Sequence, residues 1–173
     1  MIVRNLPGGG FLQGVTVTSA GQAWAVGFTN ANKTLALRWN GVAWQRATEP
    51  NITGGLTWVT TISPHDAWAV GETDSFFAIG CSDAAIARAG GLKLPRVGGL
   101  RPDLPPGPKL KPLLFHWNGT AWGQVTSPAL PDGGALLGSA ATSARNVWAV
   151  GGAHFMLKNA RVLILRWNGR IWK

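Results

Sequence analysis

The chain has 173 residues, 46% of them hydrophobic, which is enough for a core; its one cysteine, Cys81, excludes an internal disulfide framework and makes no metal site alone. No stretch approaches the roughly 18 uninterrupted apolar residues of a membrane span, and residues 1–8 show no apolar h-region, so no signal peptide is read and the compartment stays open. Of the net charge of +9, residues 74–112 and 131–173 supply +8; one irregular segment and one repeat make no patterned basic groove, which speaks against a nucleic-acid partner.

Self-similarity organises the chain. Residues 1–10 read as a linker: the run from Asn5 to Leu12 resembles the Pro- and Gly-bearing stretches 50–56 and 128–136 that separate later repeats. The first repeat spans 11–49. It opens on a strand at 15–19, then carries Trp-Ala-Val-Gly at 24–27, an apolar run from Leu35, and Trp-Asn-Gly at 39–41 with a second tryptophan at Trp44. In the second strand, alternation places Trp24 and Val26 on one face and Ala23, Ala25 and Gly27 on the other. A sheet bulky on one side and bare on the other suits close stacking against a second sheet.

Asn40-Gly41 is the pair favoured in two-residue type I′ turns, where both central residues need a positive φ. Such a turn would pair Trp39 with Val42 and Leu37 with Trp44, placing both tryptophans on one face as a diagonal pair. A three-residue loop would move Trp44 to the other face.

The second repeat spans 50–127. Its first strand is read at 58–63, followed by the turn Ser63-Pro64-His65-Asp66, in which Pro presets φ and Asp bonds back to the backbone. Trp-Ala-Val-Gly recurs at 68–71 and Trp-Asn-Gly at 117–119, with Trp122 beyond it. The Trp-to-Trp distance is 15 residues in the first repeat and 49 here, so an insertion lies within 74–112. Its glycine pairs and prolines favour extended conformations without a core. A binding loop, a disordered insertion and an out-of-frame translation patch all fit it.

The third repeat spans 128–173. Its first strand is read at 137–143, its motifs at 148–151 and 167–169, and the chain stops just after Trp172, so this repeat reads as truncated.

Nine of the ten tryptophans occupy recurring positions, and burial of each would remove roughly 150–250 Å² from water. They are expected to form the cores of the repeats. Trp58 stands outside the pattern, at the place of Gly14 and Gly138, and is the one candidate ligand-binding residue. His65, His116 and His154 fall at different repeat positions, and no metal-ligand spacing, nucleophile motif or phosphate loop appears. No catalytic residue, metal site or cofactor is expected.

The copies Asp66-Ala67-Trp68-Ala69-Val70-Gly71 and His116-Trp117-Asn118-Gly119-Thr120-Ala121-Trp122 resemble the "DVWAVG … HWNGTxW" repeats of bacterial, actinobacterial-type β-propeller proteins. The resemblance covers nearly all the chain outside 74–112. It implies an all-β fold: three four-stranded antiparallel meander blades of an incomplete β-propeller, with a disordered or extended insertion in the middle blade. It also implies a parent that is often exported or at the cell surface, and it carries no catalytic residues. The expected function is a non-catalytic scaffold for a protein or glycan ligand. The alternative is a fragment of a carbohydrate-active enzyme whose catalytic residues lie elsewhere. The expected partners are missing blades or a second copy of the chain.

Overall fold

The computed structural model describes residues 9–18, 21–73, 110–153 and 160–173, and these form strands, turns and loops with no helix among them. Strands β1 (Gly10–Val17), β2 (Ala23–Thr29), β3 (Thr34–Trp39) and β4 (Trp44–Arg46) make the first sheet in sequence order, every pair antiparallel. Strands β5 (Gly55–Ser63), β6 (Asp66–Glu72), β7 (Pro112–Trp117) and β8 (Trp122–Gln124) repeat that order in the second sheet. The third sheet holds β9 (Ala135–Ser143), β10 (Asn146–Ala153) and β11 (Arg161–Trp167).

Three expectations need correction. The third sheet has three strands rather than four; its fourth is reduced to a bridge between Trp167 and Trp172 and backbone bonds between Arg166 and Lys173. The first strand, expected from residue 15, begins at Gly10, the last residue read as linker, with Gly10, Phe11 and Leu12 paired to Thr29, Phe28 and Gly27. Pro112, read as the end of the insertion, is the first residue of β7, where a missing N–H is tolerated.

The hairpins also differ from the type I′ expectation. Trp39 lies directly opposite Trp44, Trp117 opposite Trp122, and Trp167 opposite Trp172. Asn40 N–H donates to Ala43 C=O, which leaves Gly41 and Val42 at the tip, one residue further along than expected. The cause is the asparagine side chain. Asn40 Oδ1 accepts from the N–H groups of both Val42 and Ala43, at 3.0 and 2.9 Å, and Asn118 and Asn168 repeat the arrangement. The left-handed φ then falls on glycine alone, +98° at Gly41 and Gly119 and +95° at Gly169. The tryptophans still share a face, as directly opposed pairs instead of a diagonal one.

Alternation along the second strands sets up the stacking. Trp24 and Val26 leave the first sheet and enter a buried cluster with Ala67, Ala69, Phe115, Trp117 and Trp122 of the second. Trp68 and Val70 do the same toward Val147, Ala149, Leu165 and Trp172 of the third. Each bulky tryptophan lies over a floor of small residues, walled by the paired tryptophans of the next sheet. Ring centroids are 4.7 and 4.9 Å from Trp24 to Trp117 and Trp122, and 5.1 Å from Trp68 to both Trp167 and Trp172. These are the edge-to-face and tilted geometries that aromatic quadrupoles favour. The glycine closing each Trp-Ala-Val-Gly has its own reason. A Cβ on Gly27, Gly71 or Gly151 would collide with the carbonyl oxygen of Phe11, Gly55 or Ala135 on the neighbouring first strand.

Candidate functional site

The first strands of the three sheets lie side by side, β1 against β5 and β5 against β9. Hydroxyls join them. Thr60 Oγ1 donates to Ser139 C=O at 2.8 Å and lies 3.0 Å from Ser139 Oγ, while Thr16 and Thr61 hydroxyls stand 3.4 Å apart. Thr57 Oγ1, buried, lies 2.6 Å from Leu136 C=O and 3.0 Å from Val70 C=O. These contacts align the first strands beside the buried Leu56, Val59 and Leu136.

Trp58 sits on this surface. Gly14, Trp58 and Gly138 occupy equivalent registers, opposite Val26, Val70 and Val150, each beside a bulge. Glycine fits the first of these because the backbone of Thr57 and Trp58 closes on it, leaving no room for a Cβ. In the second sheet the same position carries an indole that is 44% exposed, with no ring partner among the described residues. Trp58, which stands outside the repeat pattern, is thus a surface tryptophan.

A second constellation recurs in all three sheets and escaped the sequence reading. Directly opposite Trp24, Trp68 and Trp148 stand Arg38, His116 and Arg166. Arg38 Cζ lies 5.8 Å from the ring centroid of Trp24 and 5.5 Å from that of Trp117, so one guanidinium bridges two sheets. His116 packs on Trp68 with centroids 4.5 Å apart, and Arg166 lies 5.4 Å from Trp148. Each is held from the second-strand start: Arg38 by Gln22 at 2.8 Å, His116 by Asp66 at 3.0 Å, Arg166 by Asn146 at 3.2 Å. The signal was present, since the holding residue always stands two before the first tryptophan and the held one just before the second. His65, adjacent to Asp66, does not join the triad; its N–H bonds Ser63 Oγ and its ring lies over Gly119.

Among the recurring tryptophans, Trp24, Trp68, Trp117, Trp122 and Trp172 are buried, and Trp39, Trp44 and Trp167 partly so. Trp148 departs from the core expectation: it is exposed, because no described residue seats a sheet on its face as the second and third sheets do for Trp24 and Trp68.

One titratable group is strongly perturbed. Burial pushes the Glu49 carboxyl from 4.5 up to about 7, against the opposing pull of the Ala36 N–H and the Arg46 guanidinium. Its Oε1 accepts from Ala36 N–H at 3.1 Å, extending the edge of β3 beyond β4, and lies 3.4 Å from Arg46. Its Oε2 is buried with no hydrogen-bond partner among the described residues. This carboxyl serves the edge of one sheet.

Cys81, His154 and residues 74–109 of the expected insertion lie outside the described residues. Among the described residues, no group of three His, Cys, Asp or Glu could hold a metal ion, and no helix is long and apolar enough to cross a membrane. No protein-family model and no curated protein matches the chain.

Proposed function

We propose that the three sheets are blades of an incomplete β-propeller of the bacterial Trp-Ala-Val-Gly/Trp-Asn-Gly type. In this reading the chain is a non-catalytic scaffold whose first-strand surface binds a protein or glycan ligand through Trp58. The architecture is supported by antiparallel meanders in strict sequence order, stacked face to face, with their first strands side by side. The ligand reading is carried by Trp58, an indole 44% exposed where the equivalent residues are glycine. An exposed indole offers an apolar face for stacking and an N–H to donate, which suits a sugar ring or an apolar peptide side chain.

The test is titration of the chain with a panel of neutral cello-, chito- and manno-oligosaccharides and with a random peptide array, reading indole fluorescence. Binding that is lost in Trp58→Ala and kept in Trp148→Ala supports the proposal. Binding indifferent to Trp58→Ala, or turnover of any oligosaccharide by the purified chain, contradicts it.

A further inference from the structure

The third sheet leaves open a hydrogen-bonding edge that the first two sheets fill or block. By register, Ala36, Leu114 and Ile164 are equivalent, each opposite a valine of the second strand. Thr34, Pro112 and Val162 are equivalent one step further along. Along a strand, the backbone groups of residues two apart point to the same side. Lys173 takes up the N–H and C=O of Arg166, at 2.8 and 3.1 Å, so those of Ile164 and Val162 face the same edge.

In the first sheet this edge is filled. Ala47 N–H donates to Ala36 C=O at 2.9 Å, Ala36 N–H donates to Glu49 Oε1 at 3.1 Å, and Thr34 N–H donates to Ile52 C=O at 3.0 Å. In the second sheet Val125 N–H donates to Leu114 C=O at 2.8 Å, and Pro112 has no N–H to offer. In the third sheet no described residue bonds the outward N–H or C=O of Ile164 or Val162. Their side chains are 57% and 83% exposed, whereas Ala36, Thr34 and Leu114 are fully buried. Donors and acceptors in a row on an exposed apolar strand are a template for another strand.

We propose that β11 binds an extended acidic segment of a partner protein, which adds to the third sheet antiparallel to β11 as β4 adds to β3 and β8 to β7. Charge selects this occupant. Among the described residues of the third repeat, Arg145, Arg161, Arg166, Arg170 and Lys173 stand against Asp132 alone, and Asp132 lies 3.0 Å from Arg161. Arg161 at one end and Arg166 with Lys173 at the other bracket the open stretch. A second copy pairing its own β11 here would set this basic cluster beside its like, which is destabilising. The first sheet shows the chemistry that fits: the acceptor at Ala36 N–H is a carboxylate, with the Arg46 guanidinium 3.4 Å from the same oxygen. Between its acidic ends the segment is apolar. On one face it lies beside Val162 and Ile164, on the other beside Leu163 and Leu165 of the cluster shared with the second sheet. The argument uses register and charge alone, so this site is separate from Trp58.

The probe is the blocked, dye-labelled peptide Asp-Glu-Val-Thr-Val-Glu-Asp, compared with Lys-Lys-Val-Thr-Val-Lys-Lys. Fluorescence anisotropy against the 173-residue chain measures affinity, and amide hydrogen exchange reports Val162 and Ile164. Two variants accompany the parent, with circular dichroism as the check on folding. Val162→Pro copies Pro112 of the second sheet and removes one outward N–H; Lys173→Glu reverses an exposed charge beside the edge. The acidic peptide is expected to bind about 10-fold more tightly than the basic one and to slow exchange at both amides by about 10-fold. Its binding is expected to weaken in both variants and in added salt, and to be unchanged in Trp58→Ala. No binding by either peptide, or equal binding of both, overturns the proposal. Binding that leaves the two amides exchanging as before overturns it too, and this readout in the parent decides the matter even where Val162→Pro fails to fold. Protection of the same amides that rises with protein concentration in the absence of peptide means that a second copy takes the edge, which also overturns it.

Discussion

The imidazole of His116 packs on the indole of Trp68, ring centroids 4.5 Å apart, in the place that arginine holds opposite Trp24 and Trp148. A planar group that can stack and also bond the residue two before the tryptophan meets the demand of this position; a flexible ammonium or an aliphatic chain meets half of it. His116→Ala is therefore expected to lower stability by about 1–2 kcal/mol, losing the ring contact and the Asp66 bond together. His116→Arg is expected to stay within about 0.5 kcal/mol of the parent, because Asp66 accepts equally from a guanidinium. Urea-unfolding midpoints of the three proteins check this, and an arginine variant as unstable as the alanine one would show that the position needs imidazole.

Burial separates tryptophans that the sequence treats alike. Trp68→Ala removes an indole packed against Trp167 and Trp172 and is expected to cost about 3–5 kcal/mol. Trp58→Ala removes a half-exposed ring with no ring partner among the described residues and is expected to cost below about 1 kcal/mol. Thermal and urea unfolding measure both. Equal costs would mean that Trp58 is part of the core and free for no ligand.

Glu49 gives the chain a pH dependence opposite to that of a salt-bridged carboxylate. Its folded value of about 7 lies above the ordinary 4.5, so between these limits the folded chain holds a proton that the unfolded chain has released. The stabilisation is complete below about pH 4.5 and is lost as pH rises through about 7. The side chain is only 3% exposed, so the effect is little screened and amounts to about 2–3 kcal/mol. Glu49→Gln carries no such charge and is expected to be the more stable protein at pH 8 by about 2 kcal/mol, with the difference shrinking toward pH 4.5. Unfolding free energies from pH 4.5 to 8 decide it. A parent that gains stability relative to Glu49→Gln as pH rises would show that the Ala36 and Arg46 contacts outweigh burial.

The stacking was legible because alternation is a local property: Trp24-Ala25-Val26 states which face is bulky before any partner sheet is known. The hairpin register was not, because the asparagine side chain competes with its own backbone. Asn40 Oδ1 takes two N–H groups that a type I′ turn would use differently, and dipeptide preference does not report that competition. The Arg38, His116 and Arg166 triads were hidden for another reason. Their members lie far apart in sequence, Asp66 and His116 by 50 residues, and the residue types differ between repeats, so a search for identical letters passes over a conserved geometry. The exposure of Trp148 was hidden as well, since its motif is identical to the two buried copies and only the described neighbours distinguish it.

The leading tryptophans of the first two repeats, Trp24 and Trp68, are each held by the tryptophan pair of the next sheet. A double-mutant cycle on Trp24 and Trp122, which sit in different sheets with centroids 4.9 Å apart, measures this most directly. Phenylalanine at each position keeps a ring and lets all four proteins fold, and urea unfolding supplies the four free energies. The expected result is a coupling of about 1 kcal/mol. Additivity within about 0.3 kcal/mol would contradict the claim, because residues packed against each other do not act independently.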